Sequence, residues 1–184
     1  MRVAYPLLLL VALGAACRTP EVPVSWVDVS ADSVFTLRLP DRLTAAQDMH
    51  EYASIQYYDP LTDFYVLGIE DAKANLGEIK RRRLRLAGYY TFVENIVFET
   101  VDTFAPLSAE LLRVRPGIEA QVGDYYAYHA AWGETPLYYR LAVYESTHYY
   151  FQLVIWTPFE GACDRVAWMD SITYSLDFMD PAPE

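Results

Sequence analysis

Between residues 121 and 157 the chain holds three long strand-like runs, the first alternating in its faces, separated by only two short turns. Residues 121–132 put Tyr126, Tyr128, Ala130 and Trp132 on one face, and Gly133-Glu134-Thr135-Pro136 ends the run. Residues 137–145 and 149–157 are rich in aromatic and β-branched residues, with Ser146-Thr147-His148 between them. A period of two places successive side chains on opposite faces, and links this short join antiparallel neighbours. This stretch predicts an antiparallel meander around which the remaining elements must pack.

Those elements read as follows. Phe35, Leu37 and Leu39 alternate along a strand that Pro40 ends. Residues 53–58 and 64–70 are two strands, and Asp59-Pro60-Leu61-Thr62-Asp63 is the turn of their hairpin. Residues 71–87 have helical composition, interrupted by Gly88. Tyr89, Phe92, Val93, Ile96, Val97, Thr100 and Val101 then follow a 3.6-residue period, which predicts an amphipathic helix on the sheet. Residues 104–107, with Pro106, read as a connector, and 111–114 as a short strand. Residues 162–176 form a closing helix with Val166, Met169, Ile172 and Thr173 inward and Asp164 near its start. Strands grouped this way, with helices packed on them, are an α+β domain with a largely antiparallel sheet. A cystatin-like cone of helix and curved sheet is the alternative.

The N-terminus sets the expected address. Arg2 precedes the apolar run Leu7–Leu13, and Gly14-Ala15-Ala16 leads into Cys17. This is the layout of a signal peptide, too short to span a bilayer. Small residues running into a cysteine resemble the lipobox of bacterial lipoproteins, although Gly14 stands where that box usually has leucine. The resemblance implies lipidation of Cys17, a signal peptide over 1–16 and a tether over 17–33. Arg18 in place of aspartate implies outer-membrane sorting; secretion to the periplasm or medium is the alternative. Removing residues 1–16 takes away one arginine, so the net charge goes from −11 to −12. That charge excludes a nucleic-acid binder, which needs a basic footprint. Cys163 is then a lone thiol, read as a small buried hydrophobe because the neighbouring acids give it no activation.

The layout over 34–178 resembles the PsbP-like fold family, which includes PsbP, the Ran-binding Mog protein and DcrB-type lipoproteins. The residues that carry it are Phe35-Thr36-Leu37-Arg38-Leu39-Pro40 and the hairpin of Ala53–Tyr57 with Tyr65–Ile69. Gln121-Val122-Gly123-Asp124-Tyr125-Tyr126-Ala127, Tyr149–Val154 and the helix ending Ser171–Leu176 complete it. The resemblance implies a single binding domain without catalysis or cofactor, with 179–184 as a polar tail.

Catalytic and metal chemistry find little support. His50, His129 and His148 are scattered, without a second ligand at metal spacing. No G-x-S-x-G elbow or glycine-rich phosphate loop is present. A hydrolase would need His129 or His148 to converge with a carboxylate. Two features point instead to contact surfaces. Lys80, Arg81, Arg82, Arg83 and Arg85 are a basic run suited to anionic lipid or an acidic envelope protein. Sixteen tyrosines include five adjacent pairs. In a strand each pair straddles the sheet, so Tyr58, Tyr125, Tyr138 and Tyr150 are expected to form an outward aromatic ladder. Such a ladder suits a partner protein, peptide or sugar. A small-ligand carrier is the competing reading, and it requires an aromatic pocket between sheet and helix.

Overall fold

The expected meander forms, inside a sheet larger than the meander itself. The computed structural model describes residues 24–31, 34–77, 85–130, 133 and 135–179. Its strands are β1 (Trp26–Ala31), β2 (Phe35–Pro40), β3 (Thr44–Ala45), β4 (Ile55–Asp59), β5 (Phe64–Ala72), β6 (Thr103–Arg115), β7 (Ile118–Tyr128), β8 (Leu137–Glu145), β9 (Tyr149–Pro158) and β10 (Asp177–Phe178). The helices are α1 (Leu86–Val97) and α2 (Val166–Ser175), with single 3₁₀ segments at Lys73–Asn75 and Phe159–Asp164. Seven strands make one antiparallel sheet in the order β3-β4-β5-β9-β8-β7-β6. A second sheet, β1-β2-β10, packs with α2 against one of its faces.

Both faces of the large sheet are buried. Along β9, Phe151, Leu153 and Ile155 join Phe35, Leu37, Met169 and Ile172 in one core. The intervening Tyr150 and Val154 meet Tyr89, Tyr90 and Val93 of α1 in the other. Strands covered on both sides lose the polar face of an ordinary antiparallel sheet, which is why β8 is buried from Tyr139 to Tyr144. This layering, with helices packed on opposite faces of a large antiparallel sheet, is the expected α+β class.

Several elements differ from the sequence expectation. Residues 26–31, inside the expected tether, are β1, held to β2 by six pairs from Trp26↔Pro40 to Ala31↔Phe35. Asp71 and Ala72 extend β5, and only Lys73–Asn75 of the expected 71–87 helix is helical among residues 71–77. Gly88 sits inside α1, on its exposed side, where glycine costs a helix only about 1 kcal/mol. With Leu86 in the helix, the better buried stripe is Leu86, Tyr89, Tyr90 and Val93. That rotates α1 so that Phe92 and Ile96 face outward, 46% and 53% exposed. The expected connector at 104–107 belongs to the thirteen-residue β6. Pro106 is tolerated there because β6 is an edge strand with a bulge between Pro106 and Ser108. The closing helix starts four residues later than expected, after the 3₁₀ segment that carries Asp164. Cys163 lies on the solvent side of that segment and is exposed, against the buried reading. Val166 is half-buried, and Trp168 takes the inward position.

Candidate interaction face

One row of aligned positions crosses the whole large sheet on the side of α1. The register runs Thr44↔Tyr58, Tyr58↔Tyr65, Tyr65↔Trp156, Trp156↔Tyr139, Tyr139↔Tyr125 and Tyr125↔Pro106. The rings stack across the strands. Tyr58 and Tyr65 are 6.2 Å apart, Tyr65 and Trp156 5.0 Å, and Trp156 and Tyr139 5.9 Å, all within 16° of parallel. Cross-strand aromatic pairs are among the stronger stabilisers of a sheet. Tyr58, Tyr65 and Trp156 are half-buried, whereas Tyr139 and Tyr125 pass under Phe98 at the end of α1. A ladder therefore exists, with Tyr58 as its one expected member on the surface.

Beneath α1 the tyrosine hydroxyls are paired with carboxylates. Tyr125 donates to Glu94 at 2.6 Å, so the Tyr90 hydroxyl, 2.6 Å from Tyr125 Oη, donates to Tyr125. Tyr89 donates to Asp71, and Gln152 Nε2 donates to both, at 2.8 Å to Tyr89 Oη and 2.9 Å to Asp71. Tyr150 stacks on Tyr89 at 4.1 Å and donates to Glu145, whose Oε1 also accepts from Lys73 Nζ at 2.7 Å. Burial raises the Tyr90, Tyr139 and Tyr150 hydroxyls to about 12, Tyr150 with help from Glu145. Burial, with hydrogen bonds to Asp71 and Glu94, raises Tyr89 and Tyr125 further still. These side chains pack the part of the sheet that lies under Tyr89, Tyr90 and Val93 of α1.

The uncovered apolar surface lies at the β6 end of this face. After the Pro106/Ser108 bulge, Ala109 and Leu111 share the α1 side with Gly123 and Gln121, while Ser108, Glu110 and Leu112 share the other. Leu111 is 69% exposed, Leu107 51% and Phe104 44%. A depression of about 540 Å³ runs between the start of α1 and this strand, lined by Arg85, Leu86, Ala87, Leu111, Gln121 and Glu145. It is open to solvent, as are two others described on the surface, of about 390 and 540 Å³.

Of the residues singled out by sequence, Cys17, Lys80, Arg81, Arg82 and Arg83 lie outside the described residues. Arg85 is exposed at the wall of the α1–β6 depression. Tyr125 and Tyr150, expected outward, are each 2% exposed because α1 covers them. Tyr138 is half-buried on the opposite face, 6.2 Å from Phe159. His50 and His148 are exposed in turns. His129 Nδ1 is 3.9 Å from Asp102 Oδ2, beyond hydrogen-bond length, and that oxygen already accepts the Ala130 amide at 2.8 Å. Among the described residues no group of three His, Cys, Asp or Glu side chains is placed to hold a metal ion.

Sequence reasoning missed one charged cluster. Arg140, buried on β8, donates to Asp124 from Nε at 2.7 Å and from Nη2 at 3.1 Å, and also to Asp170 of α2. Ser108 of β6 donates to the same Asp124 at 2.9 Å. Burial works against the Arg140 charge, but Asp124 and Asp170 outweigh it and raise its pKa. An arginine within an otherwise buried strand was the available signal, since a buried charge requires a partner.

No protein-family model matches the chain, and no curated protein matches its sequence. Solved structures do match in three dimensions. Cyanobacterial PsbP (CyanoP) from Synechocystis sp. PCC 6803 superposes with a TM-score of 0.61 at 11% identity, covering 88% of this chain and 96% of that one. A mutant of the protein Mog1 gives 0.61 at 12% identity, covering 88% and 98%. LpqN, involved in cell envelope biogenesis of Mycobacterium tuberculosis, gives 0.56 at 11% identity, covering 84% and 91%. At these identities the likeness is one of fold, and the fold of this chain is the α+β architecture shared by PsbP, Mog1 and LpqN.

Proposed function

We propose that this chain is a non-catalytic protein-binding module of the bacterial cell envelope, lipid-anchored through Cys17, and that its contact surface is the β6 edge. The observation that carries the reading is the edge itself. β6 is thirteen residues long, is paired on one side only among the described strands, and carries exposed Phe104, Leu107 and Leu111. An edge of this kind accepts an extended segment of another protein by strand addition, with side-chain positions giving specificity. The two register shifts of β6, at Pro106/Ser108 and Arg113/Arg115, bracket a regular stretch from Ser108 to Arg113 as the pairing segment. The envelope role of the fold relative LpqN and the lipobox-like N-terminus support the location.

Photo-crosslinking in cells tests this. A benzophenone amino acid at Leu111 of the full chain is expected to give a discrete adduct that Leu107→Asp abolishes. The same probe at Leu61, 86% exposed on the distant β4–β5 turn, is expected to give none. No discrete adduct from Leu111, or the same adducts from both positions, refutes the β6 edge as the contact.

A further inference from the structure

A polar cleft of about 540 Å³ lies where the small sheet, α2 and the tip of the β6–β7 hairpin meet. Its walls include Trp26, Asp28 and Arg38 from the small sheet, Tyr174 from α2, Arg115 from the hairpin and Asp177 from β10. Arg38 Nε donates to Asp28 at 3.0 Å, and Arg115 pairs with Asp177. The four charged side chains are 45–60% exposed. Ion pairs that open contribute little to stability, so holding the fold does not account for two of them around one cleft.

The chemistry of the walls narrows what the cleft can take. Two arginines and two aspartates cancel, so the site has no net charge to attract an anion or a cation. An anion would have to displace both carboxylates. The pairs still have hydrogen-bonding capacity: Arg38 bonds through Nε, and its two amino groups make no hydrogen bond among the described residues. The indole N–H of Trp26 and the hydroxyl of Tyr174 likewise have no partner among them. Donors and acceptors thus both line the cleft, together with two aromatic side chains, one half-buried and one exposed. A ligand that satisfies both needs many hydroxyls, each able to donate and accept, on a body with apolar C–H faces. A volume near 540 Å³ falls in the ordinary range of small-molecule sites. We propose that this cleft binds a neutral saccharide, with Trp26 and Tyr174 as ring contacts and the two Arg–Asp pairs bonding its hydroxyls. The site is separate from the β6 pairing segment, so either proposal can fail without the other.

Saturation-transfer NMR on the full chain, held in a detergent without a sugar headgroup, tests the cleft. The probes are maltotriose, cellotriose and chitotriose, with tetra-alanine as the peptide comparison. At least one trisaccharide is expected to receive saturation and to bind at least tenfold more weakly to Tyr174→Ala and to Arg38→Ala. Both residues are largely exposed, so these variants keep the fold. Tyr52→Ala, exposed elsewhere, is expected to leave binding unchanged. No transfer to any of the three sugars at about 20 mM, a concentration that reveals contacts of millimolar affinity, overturns the proposal. Binding of tetra-alanine alone overturns it in favour of a peptide site, and sugar binding unaffected by both variants places the sugar elsewhere.

Discussion

Gly123→Ala probes how α1 is seated on the sheet. Gly123 lies on β7 between Ala109 and Leu141. A methyl group there would fall on the Tyr90 hydroxyl and within 2.9 Å of the Tyr125 hydroxyl. Both rings are at most 3% exposed, and their hydroxyls are bonded in series to Glu94, so neither can swing away cheaply. Overpacking a core costs about 1–3 kcal/mol. Breaking the Tyr90–Tyr125 bond adds about 1 kcal/mol. Restricting the unfolded chain returns about 0.4–1 kcal/mol, because the glycine needs no left-handed backbone. The expected net loss is about 1–3.6 kcal/mol, which for a chain of this length lowers the melting temperature by roughly 2–14 °C. Urea denaturation followed by circular dichroism measures it. Tyr90→Phe removes the oxygen in conflict, so Gly123→Ala with Tyr90→Phe is expected to be at least 1 kcal/mol more stable than the sum of the single effects, of the order seen for residues in contact. Strict additivity, or a Gly123→Ala protein as stable as the parent, refutes the seating.

Arg140→Met leaves the buried Asp124 carboxylate without a cation, beside the Ser108 and Tyr138 hydroxyls, and should cost about 3–5 kcal/mol in urea denaturation. Adding Asp124→Asn should recover most of that, since the stranded charge is then gone. Tyrosine titration at 295 nm should show a late group: Tyr90, Tyr139 and Tyr150 stay protonated in the fold to about 12, against about 10 when unfolded. Their contribution to stability is complete below pH 10 and is lost as pH rises towards 12, so alkaline unfolding should accompany their ionisation. Cys17→Ala should move the full chain from the membrane to the soluble fraction of a bacterial host, and continued membrane association would sink the lipid anchor. In that background, replacing Arg81, Arg82 and Arg83 with Gln should weaken binding to phosphatidylglycerol vesicles at low salt, and the difference should vanish at about 0.5 M salt, where such charges are screened.

The strands were legible where aromatic and β-branched residues ran between short turn signals, as in β8 and β9, because such residues suit a pleated ribbon even when both of its faces are buried. β1 was hidden because Trp26–Ala31 follows a proline-containing stretch and owes its extended form to pairing with β2, a long-range contact no local pattern carries. β6 was hidden by Pro106, which argues against a central strand but not against a bulged edge. The tyrosine pairs were half-legible. Their straddling of the sheet is real, as Tyr150 and Tyr149 show by entering different cores. Outward exposure did not follow, because parity separates the two faces of a sheet without saying whether the second is covered. Here α1 covers it over Tyr125 and Tyr150 and leaves it half-open at Tyr58, Tyr65 and Trp156.

Covering most of both faces leaves the margins of the sheet as its open backbone among the described strands. The two margins of the large sheet are unequal: β3 has two residues and β6 thirteen. A two-residue edge is itself a protection against unwanted pairing, and β6 lacks that protection over most of its length. Its safeguards are local. Pro106 and the first bulge close one end, the Arg113/Arg115 irregularity closes the other, and Glu110 and Arg113 place charge between. They do not remove Leu111 from solvent. Leu111 is the residue an unused edge would most readily replace with a polar one, since nothing in its packing requires it. An apolar side chain held out on the regular part of an open edge raises the risk of aggregation without a matching gain in stability. The partner segment proposed for this edge would account for both the length of β6 and the exposure of Leu111.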